Sequence, residues 1–238
     1  MPNPLGTAPS NGGERRQAGG GPADAAPGRT RVSSSEQPLV VSYLTLRKAV
    51  GSLGIAFPVI LAVGCWASGG CVGLESSMSQ YYGTDMRDIF VGVLFSIGLF
   101  LFAYRGYSRQ DEIAGKLASG FAVGVALFPI TSPVPAIRDT HYACAASFFL
   151  TLSYFSLVLF TKTDQARPAH RKRMRNTVYR VCGIAILVCM GLIAVFESVG
   201  RATPLAEVRP VFWLESLTLW AFGISWITKG EAILRDRP

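Results

Sequence analysis

The chain is short of charge, short of histidine, and has no cysteine spacing that would hold a metal. Only 16% of its 238 residues are Asp, Glu, Lys or Arg, against about 25% in an average soluble domain. That shortage argues against a disordered chain and a nucleic-acid-binding arm. Five cysteines occur without a CxxC, so neither a zinc ribbon nor a thioredoxin-type site is supported, and they are too sparse for a secreted disulfide scaffold. The two histidines are His141 and His170, with no HExxH motif. A GxSxG nucleophile elbow is also missing. What remains abundant is apolar: half of the residues are hydrophobic, and the mean hydropathy is +0.33. A polytopic membrane protein is the class that fits.

Residues 1–42 are rich in Gly, Pro, Ala and Ser. They lack hydrophobic periodicity and read as a disordered cytoplasmic tail, with 40–46 a candidate contact with the membrane surface. The tail has no apolar core of the signal-peptide kind. Six apolar runs follow, at 49–67, 89–104, 113–129, 142–160, 181–196 and 211–228. Each approaches the roughly 20 residues needed to cross hydrocarbon as a helix. Pro58 lies inside the first run and Glu215 inside the sixth. The expectation is an all-α bundle of six transmembrane helices over 43–233, followed by a short tail at 234–238.

Orientation follows from Lys and Arg. With the N-terminus inside, fifteen basic residues beyond the tail fall on the cytoplasmic side, and four (Arg87, Arg138, Arg201 and Arg209) fall outside. This satisfies the positive-inside rule, with both termini in the cytoplasm of a bacterial inner membrane. The basic run 167–175 has no interleaved aromatics for base stacking. It reads as a topology-fixing loop resting on anionic lipid; the lipid bilayer is the expected partner, and nucleic acid is not. Cys65, Cys144, Cys182 and Cys189 read as small core residues. Cys65 and Cys71 flank the outer end of the first span, where an oxidising compartment could pair them.

The outer side is acidic, with seven carboxylates. Spans two, four and six all begin there. Asp88, His141 and Glu215 therefore lie at similar depth, joined by Glu197 at the outer end of span five. Ionisable groups in a span usually face a bundle interior or an aqueous cavity, and Glu215 is the leading candidate. Asp88, His141 and Glu215 could ligate zinc or a harder divalent ion. They could also form a proton or cation path in a small transporter, or a structural network neutralised by Arg87 and Arg138. Tyr82, Asp85 and Arg87 lie in a segment dense in hydroxyls and aromatics, suited to a polar head group. Ser79 with His141 is a candidate nucleophile and base. A loop with Pro129, Pro133 and Pro135 delivers Asp139 and His141 to the rim. On the cytoplasmic side Arg105 and Asp111 are a candidate pair, while Trp226 and Lys229 read as packing and topology. Gly51, Gly54, Gly92, Gly98, Gly120 and Gly124 read as points of close helix approach.

The stretch 79–107, His141-Tyr142 and Phe212-Trp213-Leu214-Glu215-Ser216 resemble uncharacterised six-helix bacterial integral membrane proteins. The resemblance covers residues 45–233 and implies a fold, without an activity. More distantly, Ser, Asp and His near one membrane face are similar to the alkaline-ceramidase-like membrane hydrolases. In that superfamily such residues surround a catalytic zinc and cleave lipid amides or esters. This chain lacks the late HxxxH pair of that superfamily. The functional expectation is an outward-facing polar pocket that binds a small molecule, lipid head group or cation. A membrane-embedded metal-dependent lipid hydrolase and a small transporter are the alternatives.

Overall fold

Each apolar run falls wholly or mostly within a long helix of the computed structural model, which describes residues 36–106, 108–162, 170–200 and 203–230. The six helices are α1 (Glu36–Ala67), α2 (Arg87–Ala103), α3 (Arg109–Leu127), α4 (Pro135–Tyr154), α5 (His170–Val195) and α6 (Pro210–Lys229). No strand occurs among the described residues. The expected tail at 1–35 and the C-terminal residues 234–238 lie outside the described residues. Residues 36–42, read as tail, belong to α1 instead.

Local chemistry sets several helix starts. Pro135 and Pro210 stand in the first turns of α4 and α6, where a missing N–H costs no helical hydrogen bond. A capping box opens α3: the Ser108 N–H donates to Asp111 Oδ2 at 2.8 Å, and the Asp111 N–H donates to Ser108 Oγ at 3.4 Å. The buried Asp111 carboxylate is thus committed to Ser108, while the expected partner Arg105 stays exposed. Arg209, with φ 53°, turns the chain sharply into α6.

Four helical stretches are long and apolar enough to cross a membrane: Leu44–Ala67, Pro135–Leu159, His170–Val199 and Pro210–Lys229. The other two long helices are less so. One, α2, has 17 residues, and α3 carries Arg109, Asp111, Glu112 and Lys116 in its first turns.

Each helix packs on the next in sequence, and α6 returns to α1, so the six form a closed ring. The α1–α6 contact is made backbone to backbone. A Cβ at Gly51 would stand 2.8 Å from the Gly223 carbonyl oxygen, and one at Gly223 would stand 2.6 Å from that of Gly51. Only glycine lets the two helices approach so closely. Gly92 and Gly120, expected at close approaches, have open space beside them instead. Buried hydroxyls tie the ring together. Ser153 Oγ donates to the Gly183 carbonyl at 3.1 Å, and the Ser156 and Ser225 hydroxyls lie 2.9 Å apart. The Trp220 indole N–H donates to the Ile55 carbonyl at 3.0 Å.

The interior divides into two clusters. One surrounds Trp226, whose indole packs against Tyr104, Phe155, Phe160 and Phe222 with ring centroids 5.0–5.6 Å apart. The other surrounds Phe57, Tyr81, Phe90 and Phe212. Outward, every helix exposes large apolar side chains, among them Val63, Leu99, Leu117, Leu150, Val188 and Leu217. A water-facing surface seldom carries so much apolar area on all sides.

Candidate functional site

The link from α1 to α2 is stapled by a Cys65–Cys71 disulfide, with Cα atoms 5.4 Å apart. Beyond it, a short 3-10 helix, Met78–Gly83, folds back over the end of the ring and packs on α1, α2 and α6. Its inward residues Met78, Ser79 and Tyr81 are buried. Burial pushes the Tyr81 hydroxyl above the ordinary phenol value; the N–H it accepts from Glu75 opposes this, and the Glu75 charge adds to it.

Beneath this cap, α4 supplies His141, which is only 2% exposed. Its Nδ1 lies 2.7 Å from the Phe128 carbonyl oxygen, and its Nε2 lies 2.9 Å from Ser79 Oγ. A carbonyl oxygen can only accept. In the neutral imidazole the proton is therefore on Nδ1, leaving Nε2 to accept from the Ser79 hydroxyl. His141 thus points inward under the rim, while its near neighbour Asp139 remains exposed on it.

Glu215 approaches from α6. Its Oε2 accepts the Met78 N–H at 2.6 Å, satisfying an amide at the start of the 3-10 helix. Glu215 forms no ion pair with a described residue. Glu197, half-buried at the end of α5, lies within electrostatic reach of it. Glu215 and Ser79 both line an internal cavity of about 40 Å³, whose remaining walls are apolar and include Phe57, Phe90, Phe148 and Phe149. Since about 10–15 Å³ of such space holds one water, there is room for a few water-sized groups.

No known protein family, curated protein or solved structure matches this chain.

The other expected site residues form a rim. The Arg87 guanidinium donates to the Tyr82 hydroxyl at 3.2 Å, with its carbon 4.8 Å from the ring centre. Asp85 and Asp88 are exposed nearby, Asp88 on the first turn of α2. Among the described residues no three His, Cys, Asp or Glu side chains stand close enough to hold one metal ion. The expected ligand set Asp88, His141 and Glu215 is therefore not assembled, since Asp88 faces outward and Phe128 and Ser79 take both His141 ring nitrogens. Neither Arg87 nor Arg138 forms an ion pair with a described residue, so they do not neutralise the buried carboxyl.

The opposite end of the ring buries charge of the other sign. Arg47, only 2% exposed, donates to the Lys229 carbonyl at 3.3 Å and lies 5.6 Å from the Tyr104 ring centre. The Lys229 ammonium lies 5.4 Å from the Phe160 ring centre, and Lys172 donates to the Phe160 carbonyl at 3.3 Å. Cations placed against aromatic rings are held by the ring quadrupole. The sequence reading took Arg47 as a topology charge and Lys229 as a packing and topology element. Helical spacing could have found both. Arg47 continues the buried series Val50, Gly54, Phe57 and Leu61, and Lys229 continues Phe212, Glu215, Leu219, Phe222 and Trp226.

Proposed function

We propose that the chain is a six-span protein of a bacterial inner membrane, with both termini in the cytoplasm, whose outward end binds a small cationic head. The apolar side chains exposed on all six helices support six spans, and an α2 of 17 residues is about 25 Å long, most of the hydrocarbon thickness. Orientation is supported by the excess of Lys and Arg at the Trp226 end and by the disulfide at the other, since disulfides persist in oxidising compartments.

One observation carries the binding reading: a carboxyl group, Glu215, stands in an otherwise apolar cavity with a hydroxyl beside it and no cation among the described residues to pair with it. An intramembrane carboxyl of this kind is expensive to keep and marks a site. The cavity admits a water-sized group, which fits a primary ammonium better than a bulkier quaternary one. Ser79 Oγ retains lone pairs to accept an ammonium N–H, and surrounding phenylalanine rings favour a cation. The ligand class is therefore an amphiphile or lipid head group ending in a primary ammonium.

The test is equilibrium binding of radiolabelled decylamine to the detergent-purified full chain, with decanol as the uncharged competitor. Saturable binding that decanol does not displace, reduced at least tenfold in Glu215→Gln, is expected. Equal binding by wild type and Glu215→Gln would remove Glu215 as the anchor.

A further inference from the structure

We propose that Ser79 and His141 act as a nucleophile and base that hydrolyse a carboxylic ester of a long-chain amphiphile. The proposal rests on the cavity being a ligand site, but not on Glu215 being the anchor.

The pair differs from every other buried serine whose hydrogen bonds are resolved. Ser153 and Ser216 donate to main-chain carbonyls, and Ser156 and Ser225 bond each other. These are contacts that hold helices or satisfy a hydroxyl in an apolar interior. Ser79 alone donates to a nitrogen base, at 2.9 Å, and it also lines a cavity. The base is set for the task by a third group. The Phe128 carbonyl, 2.7 Å from Nδ1, holds the imidazole in the tautomer that presents a lone pair to Ser79. Nucleophile, base and orienting acceptor within hydrogen-bond reach are the arrangement that activates a serine.

The chemistry balances without any co-reactant except water. Ser79 Oγ attacks the ester carbonyl carbon while its proton passes to His141 Nε2. Collapse of the tetrahedral intermediate breaks the ester C–O bond, and Nε2 returns the proton to the departing alcohol oxygen. A water molecule then gives a proton to Nε2 and attacks the acyl carbon. The Ser79 C–O bond breaks, Ser79 recovers the proton, and a free carboxylic acid leaves. The cavity has room for the reacting carboxyl group and one water. The acyl chain would follow the apolar part of the cavity wall, which includes Leu94, Ile97 and Leu219.

The experiment uses the full chain in detergent and decyl fluorophosphonate, which phosphonylates activated serines. Wild type is expected to gain the mass of one probe, with the adduct mapped to Ser79. Ser79→Ala should take up none. His141→Asn keeps an N–H donor for the Phe128 carbonyl while removing the base, and should react at least about 100-fold more slowly. Ser153→Ala, at the α4–α5 contact, should react like wild type. If Ser79→Ala does not fold, the mapped wild-type adduct and the His141→Asn rate decide the matter. No adduct in folded wild type, an adduct on another serine, or an unchanged rate in His141→Asn would overturn the proposal. Labelling without decylamine binding would sink the Glu215 reading alone, and decylamine binding without labelling would sink the serine–histidine reading alone.

Discussion

The two ends of the helical ring bury polar groups in opposite ways, and a single helix reaches both. Along α6, one buried stripe begins near Glu215 and ends near Lys229, fourteen residues and about 21 Å apart. At the Trp226 end, cations lie against closely packed aromatic rings. At the disulfide end, Glu215 meets a peptide N–H and a cavity. Tight aromatic packing is what structural stability calls for. A cavity beside a carboxyl and a serine–histidine pair contributes little to stability and is what a site requires. On the function proposed above, anchoring falls to one end and chemistry to the other.

The sharpest way to break that contrast is to weaken the packed end. Trp226→Ala removes the indole at the centre of four other rings and is expected to cost about 3–5 kcal/mol. It should lower the melting temperature more than Phe57→Ala, whose ring already borders a cavity. A larger loss from Ala substitution at Phe57, on the cavity wall, would reverse the assignment of the two ends.

Next in size is the disulfide. Replacing Cys65 and Cys71 with serine opens a short loop and should cost about 2 kcal/mol by loop-closure entropy. Its effect should be local. Hydrogen exchange is expected to quicken in the 3-10 helix Met78–Gly83 and stay unchanged around Trp226. Uniform acceleration along the chain would show that the cap is not an independent element.

The smallest effect concerns Tyr81. Because burial raises its folded value above that of the unfolded chain, its contribution is fully present below the unfolded pKa of about 10. It is lost as pH rises through the folded value, since the unfolded chain ionises first. Between about pH 9 and 11, wild type should lose slightly more stability than Tyr81→Phe. Identical slopes would place the hydroxyl in water.

How much of this was legible in the sequence differs between the fold and the site. The six long helices were readable because apolar runs near membrane thickness leave the backbone no other option. The start of α1 at Glu36 was not, because Pro38 and the polar residues Glu36, Gln37 and Ser42 surround only a three-residue apolar run, too short to show a helical period. Sequence position put Asp88, His141 and Glu215 at similar depth and named Ser79 beside His141, but depth is one coordinate. Asp88, expected at that depth, is exposed, because its angular position on α2 is set by how α2 packs, which composition does not reveal. The Phe128 carbonyl, which fixes the histidine tautomer, is a main-chain atom and carries no residue-type signal. Arg47 and Lys229 were hidden by the opposite error: the positive-inside count explained them too readily, although their spacing already put them on the inward stripes.

The most direct measurement of which end binds is the melting of wild type, Glu215→Gln and Lys229→Gln, each with decylamine, with decanol and with neither. At ten times Kd, linkage alone gives about 1.4 kcal/mol of stabilisation. Decylamine should therefore raise the melting temperature of wild type and Lys229→Gln above the decanol control and leave Glu215→Gln unmoved. A shift that survives in Glu215→Gln and vanishes in Lys229→Gln would contradict the assignment of binding to the disulfide end.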